Sequence, residues 1–399
     1  MKKLLLTALL LLASFPCLRA QRKVISQARE YIKSGENLDQ AANLMKDLLE
    51  KDSLNRKNPK IYLTWFEAVE KQYESGNEQL YLKQPFDTTL LFQYTKSMFD
   101  IICSLDSVVR ENPEIKTNPK KREKYAETLD KYRRNLFVAG IHYLREDDFL
   151  QAYTYFDTYL ASASEPLFST YNYEANDKRI TDAAFWATTC AYRLGDPKKT
   201  FVYSNKAEES ADTARRLLVY RYEAVAYRQL TDTAGYIAAL KKGFHTDPTY
   251  KYNFPRLHDY YTSHNMMDSA LCLIDEALKA KPDDRFFLYA KSTTLLNMGR
   301  NDECIAVTKH LISLCDTVAP PYFNISTAIL NNIVELEENE DCDKEKIKAM
   351  YKEALPYMEK YRVLAPHEKD KWGPALYRIY LNLNMGRQFE EIDKIVNKQ

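Results

Sequence analysis

Histidine side chains are the first groups in this chain that could bind a metal ion or transfer a proton. The six histidines lie at positions 142, 245, 258, 264, 310 and 367. His258 and His264 are six residues apart, so a helix would place them on different faces, and the sequence contains no HExxH motif. We therefore interpret the histidines as packing or surface residues and expect no metal site.

Two charged clusters could bind ions or nucleic acid. The acidic run from Glu335 to Asp343 lacks the glycine and the alternating ligands of a calcium loop. We interpret it as a solvated linker whose last acids favour the N-terminus of the next helix. A basic cluster has no interleaved aromatic residues and is a poor site for single-stranded nucleic acid. It consists of Lys116, Lys120, Lys121, Arg122 and Lys124, and we interpret it as a solvated loop and helix start.

Glycine is too scarce for the usual phosphate-binding and nucleophile loops. The chain has nine glycines, and the closest pair, Gly235 and Gly243, is eight residues apart. This excludes a GxGxxG turn, a P-loop and a GxSxG nucleophile elbow. We expect no cofactor and no catalytic constellation, so enzyme function is the least favoured reading. Few glycines with abundant Leu, Ala, Glu, Lys and Tyr predict an all-α chain.

The first twenty residues predict an export signal. Lys2 and Lys3 precede an apolar stretch, Leu4–Leu12, which is too short to span a bilayer. We expect cleavage near Ala20 and a periplasmic location. The alternative is a lipid anchor at Cys17, although the bulky residues before it fit a lipoprotein signal poorly.

The net charge argues against a nucleic-acid partner. Cleavage would remove Lys2, Lys3 and Arg19, so the net charge changes from +1 to −2. A near-neutral protein lacks the basic field that nonspecific nucleic-acid binding uses. No later segment is long and apolar enough to be a transmembrane helix.

The pattern that must position any functional residue is a repeat of 34 residues. Pro248 and Pro282 are 34 residues apart, and three consecutive blocks align without gaps: Leu217–Tyr250, Lys251–Asp284 and Arg285–Val318. A period of this length is typical of helix-turn-helix units that stack into a solenoid. The blocks Arg133–Pro166 and Thr181–Ala214 follow the same phase.

This pattern resembles the tetratricopeptide repeat. Units of that family have small residues at positions 8 and 20, where helices A and B approach closely, and proline at position 32. Position 8 here holds Gly140, Thr188, Ala224, His258 and Ser292. Position 20 holds Ala152, Thr200, Tyr236, Ala270 and Cys304. The resemblance implies an α-solenoid of stacked helical hairpins with a right-handed superhelix.

The repeats suggest a division of the chain into three parts. Residues 1–20 are the predicted leader, residues 21–118 form divergent N-terminal hairpins, and residues 119–399 form the solenoid with a C-terminal capping hairpin. In the N-terminal part we expect one hairpin around Gly35 and a longer pair of helices joined through Gly76. We expect Leu167–Lys178, rich in Ser, Tyr and Asn, to be a loop, and about nine hairpins in all.

The cysteines fit a packing role. Six remain beyond residue 20, without a CxxC pair, which argues against zinc and thioredoxin-like chemistry. Cys190 and Cys304 fall where the repeat requires a small buried residue, so we expect buried thiols there. One structural disulfide is the alternative, since an exported protein can form it.

Seven Asp-Ser/Thr-apolar triplets resemble acceptor sites for O-glycosylation in exported bacterial proteins. They begin at Asp52, Asp87, Asp106, Asp212, Asp232, Asp268 and Asp316. Asp, Ser and Thr also begin helices and turns well. We interpret most of the triplets as helix caps, with sugar attachment left open for one or two.

The resemblance also places a binding groove on the concave face, lined by the A helices. The groove positions of the family correspond here to Arg134, Arg145, Tyr192, Arg193, Arg221, Arg228, Tyr252, Asp259 and Tyr289. Recognition surfaces are enriched in arginine and tyrosine, and arginine holds a carboxylate through two hydrogen bonds. We expect Arg193, Arg221 and Arg228 to form one wall that attracts an anion or an acidic peptide.

The function that the sequence favours is therefore a non-catalytic periplasmic scaffold whose groove binds a protein or peptide. The alternative is a structural subunit of a cell-envelope assembly, for secretion or for handling a surface polymer. Groove mutations separate the two, because only the first requires the groove.

Overall fold

The computed structural model describes residues 21–115, 118–338 and 343–396. Within these ranges every regular element is an α-helix or a short 3-10 helix. The predicted leader with Cys17, and also Lys116, Glu340, Asp341 and Cys342, lie outside the described residues. The chain divides between Asp232 and Thr233 into two compact units.

The described part of the first unit consists of helical hairpins followed by one further helix. α1 covers residues 21–34. It is followed by α2 (Leu38–Lys51), α3 (Pro59–Tyr81), α4 (Thr88–Glu111), α5 (Pro119–Arg145), α6 (Phe149–Ser164), the single turn α7 (Tyr173–Asn176), α8 (Ile180–Arg193), α9 (Pro197–Ala207) and α10 (Thr213–Gln229). The pairs α3–α4, α5–α6 and α8–α9 pack as hairpins.

The described part of the second unit has the same architecture. Its helices are α11 (Thr233–Thr246), α12 (Asn253–Ser263), α13 (Met267–Ala280), α14 (Arg285–Asn297), α15 (Asn301–Leu314), α16 (Ala319–Glu337), α17 (Lys344–Leu364), α18 (Lys369–Asn382) and α19 (Gly386–Val396). Consecutive pairs from α12–α13 to α18–α19 pack as hairpins. The all-α, hairpin-repeat prediction is thus confirmed.

One backbone feature repeats with the sequence period. The turn between the two helices of each block contains one residue with a left-handed backbone. These residues occupy position 15 of all five blocks: Asp147, Gly195, Thr231, Asn265 and Gly299, with φ from 56° to 71°. From 231 to 265 and from 265 to 299 the interval is 34 residues, so the repeat exists in the backbone as well as in the sequence.

The small residues of the repeat lie where the helices pack most closely. At position 8, Gly140, Thr188, Ala224 and Ser292 are buried, as predicted. His258 departs from the pattern: it is half-buried, its Nε2 lies 3.1 Å from Thr294 Oγ1, and burial lowers its pKa.

The cysteine prediction is also confirmed where the structure describes it. Cys190 and Cys304 are buried, and the five described cysteines are free thiols. Burial raises the pKa of the Cys190 thiol to about 12. A thiol in such surroundings is protonated at neutral pH and serves as a small apolar residue.

Two predictions about the connections are wrong. Gly76 does not join two helices: it lies inside α3, where an added Cβ would be 2.4 Å from Phe86 Cζ. It is glycine because an aromatic ring packs directly on the helix backbone. Leu167–Lys178, predicted as a loop, contains the end of a 3-10 helix and the single turn α7, and its Phe168 and Tyr173 are buried in the core of the first unit.

The Asp-Ser/Thr triplets divide into caps and other roles. Asp87 and Asp212 cap α4 and α10 by accepting hydrogen bonds from backbone N–H groups, and Asp52 accepts one from Leu54 N at 2.9 Å in a turn. Asp106 lies inside α4, towards its C-terminal end, and Asp268 lies in the first turn of α13. For these two residues the cap interpretation is wrong.

The acidic run begins inside one helix, and its last residue caps the next helix. Glu335 and Glu337 belong to α16 rather than to a linker, and Glu337 forms an ion pair with Arg378 at 2.9 Å. Asp343 accepts hydrogen bonds from Glu345 N and Lys346 N at 3.0 and 3.1 Å. The last acid of the run therefore caps α17, as expected.

A buried arginine attaches the segment after α6 to the helices beneath it. Arg133 of α5 is 5 % exposed, and its guanidinium lies 3.9 and 3.8 Å from the ring centroids of Tyr159 and Tyr173. It donates to Ser162 Oγ at 2.8 Å, to the Tyr159 carbonyl at 3.1 Å and to the Asp177 carboxylate. One side chain thus links α5, α6 and the segment before α8.

Asp177 makes this cluster sensitive to acid. Burial raises its pKa, but the hydrogen bonds from Tyr159 and Arg133 outweigh burial and hold the pKa below its usual value. The unfolded chain titrates near 3.9, so the carboxylate stabilises the fold above about pH 4, and this contribution is lost as the pH falls through the folded value.

We therefore expect Asp177→Asn to destabilise the protein at neutral pH and to flatten its loss of stability in acid. Urea unfolding of parent and variant at neutral pH and at several values below about pH 5 measures both effects. A stability difference that stays constant over this range would contradict the assignment.

Candidate functional site

Six of the nine predicted groove residues lie in the first unit and three in the second. Arg134 and Arg145 are exposed on α5, Tyr192 and Arg193 belong to the C-terminal end of α8, and Arg221 and Arg228 belong to α10. Tyr252 directly precedes α12, Asp259 lies on α12, and Tyr289 lies on α14. Each unit therefore presents its own set.

In the first unit, Tyr192 and Arg193 of α8 both pack against aromatic side chains. The Tyr192 ring stacks on Tyr222 of α10 with centroids 4.2 Å apart. The Arg193 guanidinium lies 4.5 Å from the centroid of Phe149, at the start of α6. One face of the Arg193 guanidinium therefore packs on an aromatic ring. On α10, Arg228 is exposed and Arg221 is half-buried.

In the second unit, Tyr252 and Asp259 also have local partners. Arg256 lies 3.8 Å from the centroid of the Tyr252 ring and donates to the Tyr252 carbonyl at 2.7 Å. The Asp259 carboxylate is exposed, 4.0 Å from Nδ1 of the neighbouring His258. These contacts stabilise the start and the middle of α12.

Tyr289 lines a cleft in the second unit. The cleft has a volume of about 360 Å³ and lies between α14, the end of α15 and the start of α16. Its lining is largely apolar and consists of Arg285, Phe286, Tyr289, Leu311, Cys315, Val318, Pro320 and Pro321. Pockets of roughly 300–1,000 Å³ with a few polar groups are typical ligand sites.

Several of the lining side chains are large, apolar and exposed. Phe286 is 53 % exposed, Tyr289 37 % and Val318 46 %. Phe286 is held by edge-on contacts with Phe254 and Phe287, at centroid distances of 5.6 Å each. The aromatic surface is therefore both solvent-facing and fixed in orientation, which is what an anchor for a partner requires.

Local sequence explains why the backbone forms this cleft. Asp284 caps α14 by accepting a hydrogen bond from Phe286 N at 2.9 Å, which places Phe286 and Tyr289 on the first turns. Pro320 and Pro321 occupy the first turn of α16, where no backbone N–H is needed. The repeat phase predicts Tyr289 as a groove residue, but it gives no sign that the two prolines lie beside it.

The polar side chains that line the cleft are those of Arg285, Cys315 and Tyr289. Hydrogen bonds from Thr317 and the proximity of Arg285 lower the pKa of Cys315. The Cys315 Sγ lies 3.4 Å from Thr317 Oγ1. In the described residues no group of three or more His, Cys, Asp or Glu side chains is placed to hold a metal ion.

A second concave surface lies on the A helices of the first unit. It is a groove of about 400 Å³ between α1, α3 and α5, lined by charges of both signs, including Arg29, Glu67, Glu70 and Lys124. Burial, together with the neighbouring Glu74 and Glu67 carboxylates, raises the pKa of Glu70. The surface is more polar than the cleft at Tyr289.

No helix in the described ranges combines enough length with enough apolar surface to span a bilayer.

The Arg134 and Arg145 side chains remain on the exposed side of α5. The cleft beside Tyr289 is therefore the site in which a predicted residue is joined by further exposed residues suited to binding.

No protein-family model matches the chain, and no curated protein matches it. Solved structures do match. One is the C-terminal part of a TPR repeat-containing protein from Cytophaga hutchinsonii, with 11% identity, 65% of this chain and 93% of that chain covered, and a TM-score of 0.40. Another is PilW, a type IV pilus biogenesis factor, with 13% identity, 56% and 94% covered, and a TM-score of 0.34. A third is YrrB, a TPR protein, with 15% identity, 49% and 92% covered, and a TM-score of 0.33.

Three structural features of the chain itself define its architecture. Left-handed turn residues recur at one position of five blocks, small residues are buried at position 8, and successive helices pack as hairpins. These are the structural features of the tetratricopeptide repeat. The described part of the chain is therefore built of repeated helical hairpins, as the resemblance to the tetratricopeptide repeat implies.

Proposed function

We propose that this protein is a non-catalytic scaffold that binds a protein or peptide segment, and that the cleft beside Tyr289 is a principal binding site. The observation that carries the proposal is the set of exposed apolar side chains in a concave place, with Phe286 and Tyr289 at its centre and Phe286 held by two ring contacts. Exposed apolar patches with a polar rim are typical of protein interaction sites.

The chemistry of the cleft suggests the kind of segment it takes. Phe286, Tyr289 and the two prolines offer flat apolar surfaces for an aromatic or aliphatic anchor. Arg285 offers one cation at the edge, which suits an acidic residue next to the anchor. A short extended segment with one large apolar side chain beside an Asp or Glu fits both.

The arginines of α8 and α10 are a second, separate element of the proposal. α8 and α10 pack against each other in the first unit, and Arg193, Arg221 and Arg228 lie on them. We propose that this surface attracts acidic stretches of the partner, because arginine is suited to carboxylate recognition.

We further propose that the protein works in the periplasm after removal of its leader. The support is the sequence of residues 1–20, with paired lysines before Leu4–Leu12. The mass of the mature protein isolated from its native cells tests this proposal. A mass that includes Met1, or a diacylated Cys17, would contradict cleavage near Ala20.

Replacing both aromatic residues of the cleft is expected to abolish most peptide binding. A displayed library of random peptides is selected on the full-length protein, and the selected peptides are titrated against the parent and against Phe286→Ala/Tyr289→Ala. Loss of two exposed aromatic anchors should weaken binding by about tenfold or more, with only a modest loss of stability because Phe286 and Tyr289 are 53 % and 37 % exposed.

The matched control is Tyr81→Ala, because Tyr81 is 85 % exposed at the end of α3. This variant should bind selected peptides as the parent does. A further arm, Arg221→Ala/Arg228→Ala, reports whether acidic peptides use the first unit. Peptides that bind the cleft variant as tightly as the parent would refute the cleft as the site.

A further inference from the structure

The first unit also contains a largely apolar cavity, which is distinct from the cleft beside Tyr289 in the second unit. It has a volume of about 500 Å³ and lies between α3, α4 and the start of α5. Its walls are aliphatic and aromatic, formed by Pro59, Leu63, Ile102, Leu105, Val109, Tyr125 and Leu167. Ile102, Leu105 and Leu167 are buried in the core of the unit, so the walls are fixed by packing.

The polar end of this cavity carries an excess of positive charge. Four charged side chains line it: Asp106, Arg110, Lys121 and Arg122. One carboxylate against three cations leaves a formal charge of +2. The N-terminal end of α5, where Lys121 and Arg122 lie, adds the positive end of a 27-residue helix.

The one carboxylate is fully engaged by two of the cations. The Asp106 side chain is 5% exposed. It accepts hydrogen bonds from Arg122, one of them from Nη2 at 3.0 Å, and forms an ion pair with Arg110 Nε at 3.3 Å. Each guanidinium has five N–H donors, so both retain donors for another acceptor, and their side chains are 39% and 47% exposed.

We propose that this cavity binds a small amphiphilic anion: an alkyl chain in the apolar part and a single carboxylate or phosphate group at Lys121, Arg110 and Arg122. The apolar walls exclude a fully polar ligand such as free phosphate, because burial of ions without apolar contacts gains nothing from the walls. The positive end disfavours a cation and favours an anion over a neutral alcohol of the same length.

This proposal gives Lys121 a role that its neighbour Lys120 does not share. Both are exposed on the first turn of α5, but only Lys121 lines the cavity. The pair therefore provides a matched comparison in which the change of net charge is identical and only the position differs.

Calorimetric titration of the full-length protein tests the proposal with sodium decanoate, 1-decanol and sodium acetate as probes. We expect decanoate to bind more tightly than decanol, and acetate not to bind. Lys121→Glu should weaken decanoate binding on the order of fivefold or more, and Lys120→Glu less than twofold. Leu63→Trp, which fills the apolar part from a half-buried position, should abolish binding while circular dichroism shows the parent's helicity.

Several results would overturn the proposal. If decanol binds as tightly as decanoate, the site does not require an anion. If Lys120→Glu and Lys121→Glu weaken binding equally, the ligand does not bind in the cavity. If the protein binds vesicles of phosphatidylcholine with phosphatidylglycerol but does not bind free decanoate, the positive side chains contact a membrane surface and not a single bound anion. Absence of decanoate binding to the parent refutes it outright.

Discussion

Replacement of Arg133 by alanine is expected to lower the stability of the first unit by about 3 to 5 kcal/mol, since removal of one partner leaves a buried charge uncompensated. The guanidinium is enclosed between Tyr159 and Tyr173 and binds Asp177, Ser162 and a backbone carbonyl. Arg133→Lys should also destabilise, because an ammonium group cannot reproduce the planar fork or the double ring contact.

Hydrogen exchange measured peptide by peptide reports the stability of each of the two units separately. Peptides of α5, α6 and α8 should exchange at least about a hundredfold faster in Arg133→Ala, whereas peptides of α16–α18 serve as an internal reference. The matched control is Arg134→Ala, which removes the exposed neighbour on the same helix and should change stability by less than about 0.5 kcal/mol. Equal exchange in the two variants would show that the buried cluster does not stabilise the unit.

Gly140→Ala is expected to destabilise the protein by about 2 to 3 kcal/mol, the upper part of the range for overpacking. Within a helix the same change normally stabilises by up to about 1 kcal/mol. The sign reverses here because an added Cβ would lie 2.6 Å from Cε1 of Phe156, a ring that is itself fully buried. Neither the ring nor the α5 backbone can move away without opening the core of the hairpin.

Urea unfolding of Gly140→Ala and Gly386→Ala measures this contrast. Gly386 begins α19, and an added Cβ there meets nothing within 4 Å, so its replacement should be neutral or stabilising. If Gly140→Ala is as stable as the parent, α5 and α6 do not approach as closely as the repeat requires.

Residues that act through local spacing were predictable from the sequence. Gly140, Ser292 and Cys304 recur at fixed positions of a 34-residue period, and the period follows from helix length and turn length alone. Tyr289 could be placed on an exposed helix face for the same reason. The turn residues Asp147, Thr231 and Asn265 were missed, because only glycine signals a left-handed backbone reliably.

Residues that act through long-range contacts could not be predicted. Arg133 reads as one cation among many in a charged helix, and its burial depends on how the segment from 166 to 179 folds back over α5. Asp106 looked like a helix cap because its triplet matches true caps such as Asp87. Its contact with Arg122, sixteen residues away, depends on the packing of α4 against α5.

The central claim, that the cleft beside Tyr289 binds a protein segment, is tested most directly by site-specific photo-crosslinking in the native cell. A photoreactive phenylalanine analogue is introduced at Tyr289, which is 37 % exposed, in one strain and at Tyr81, which is 85 % exposed, in another. If the cleft binds a protein segment, we expect a discrete covalent adduct at position 289 that disappears when Phe286 is also replaced by alanine, and no such adduct at position 81. Adducts of equal yield at both positions, or none at 289, would contradict it.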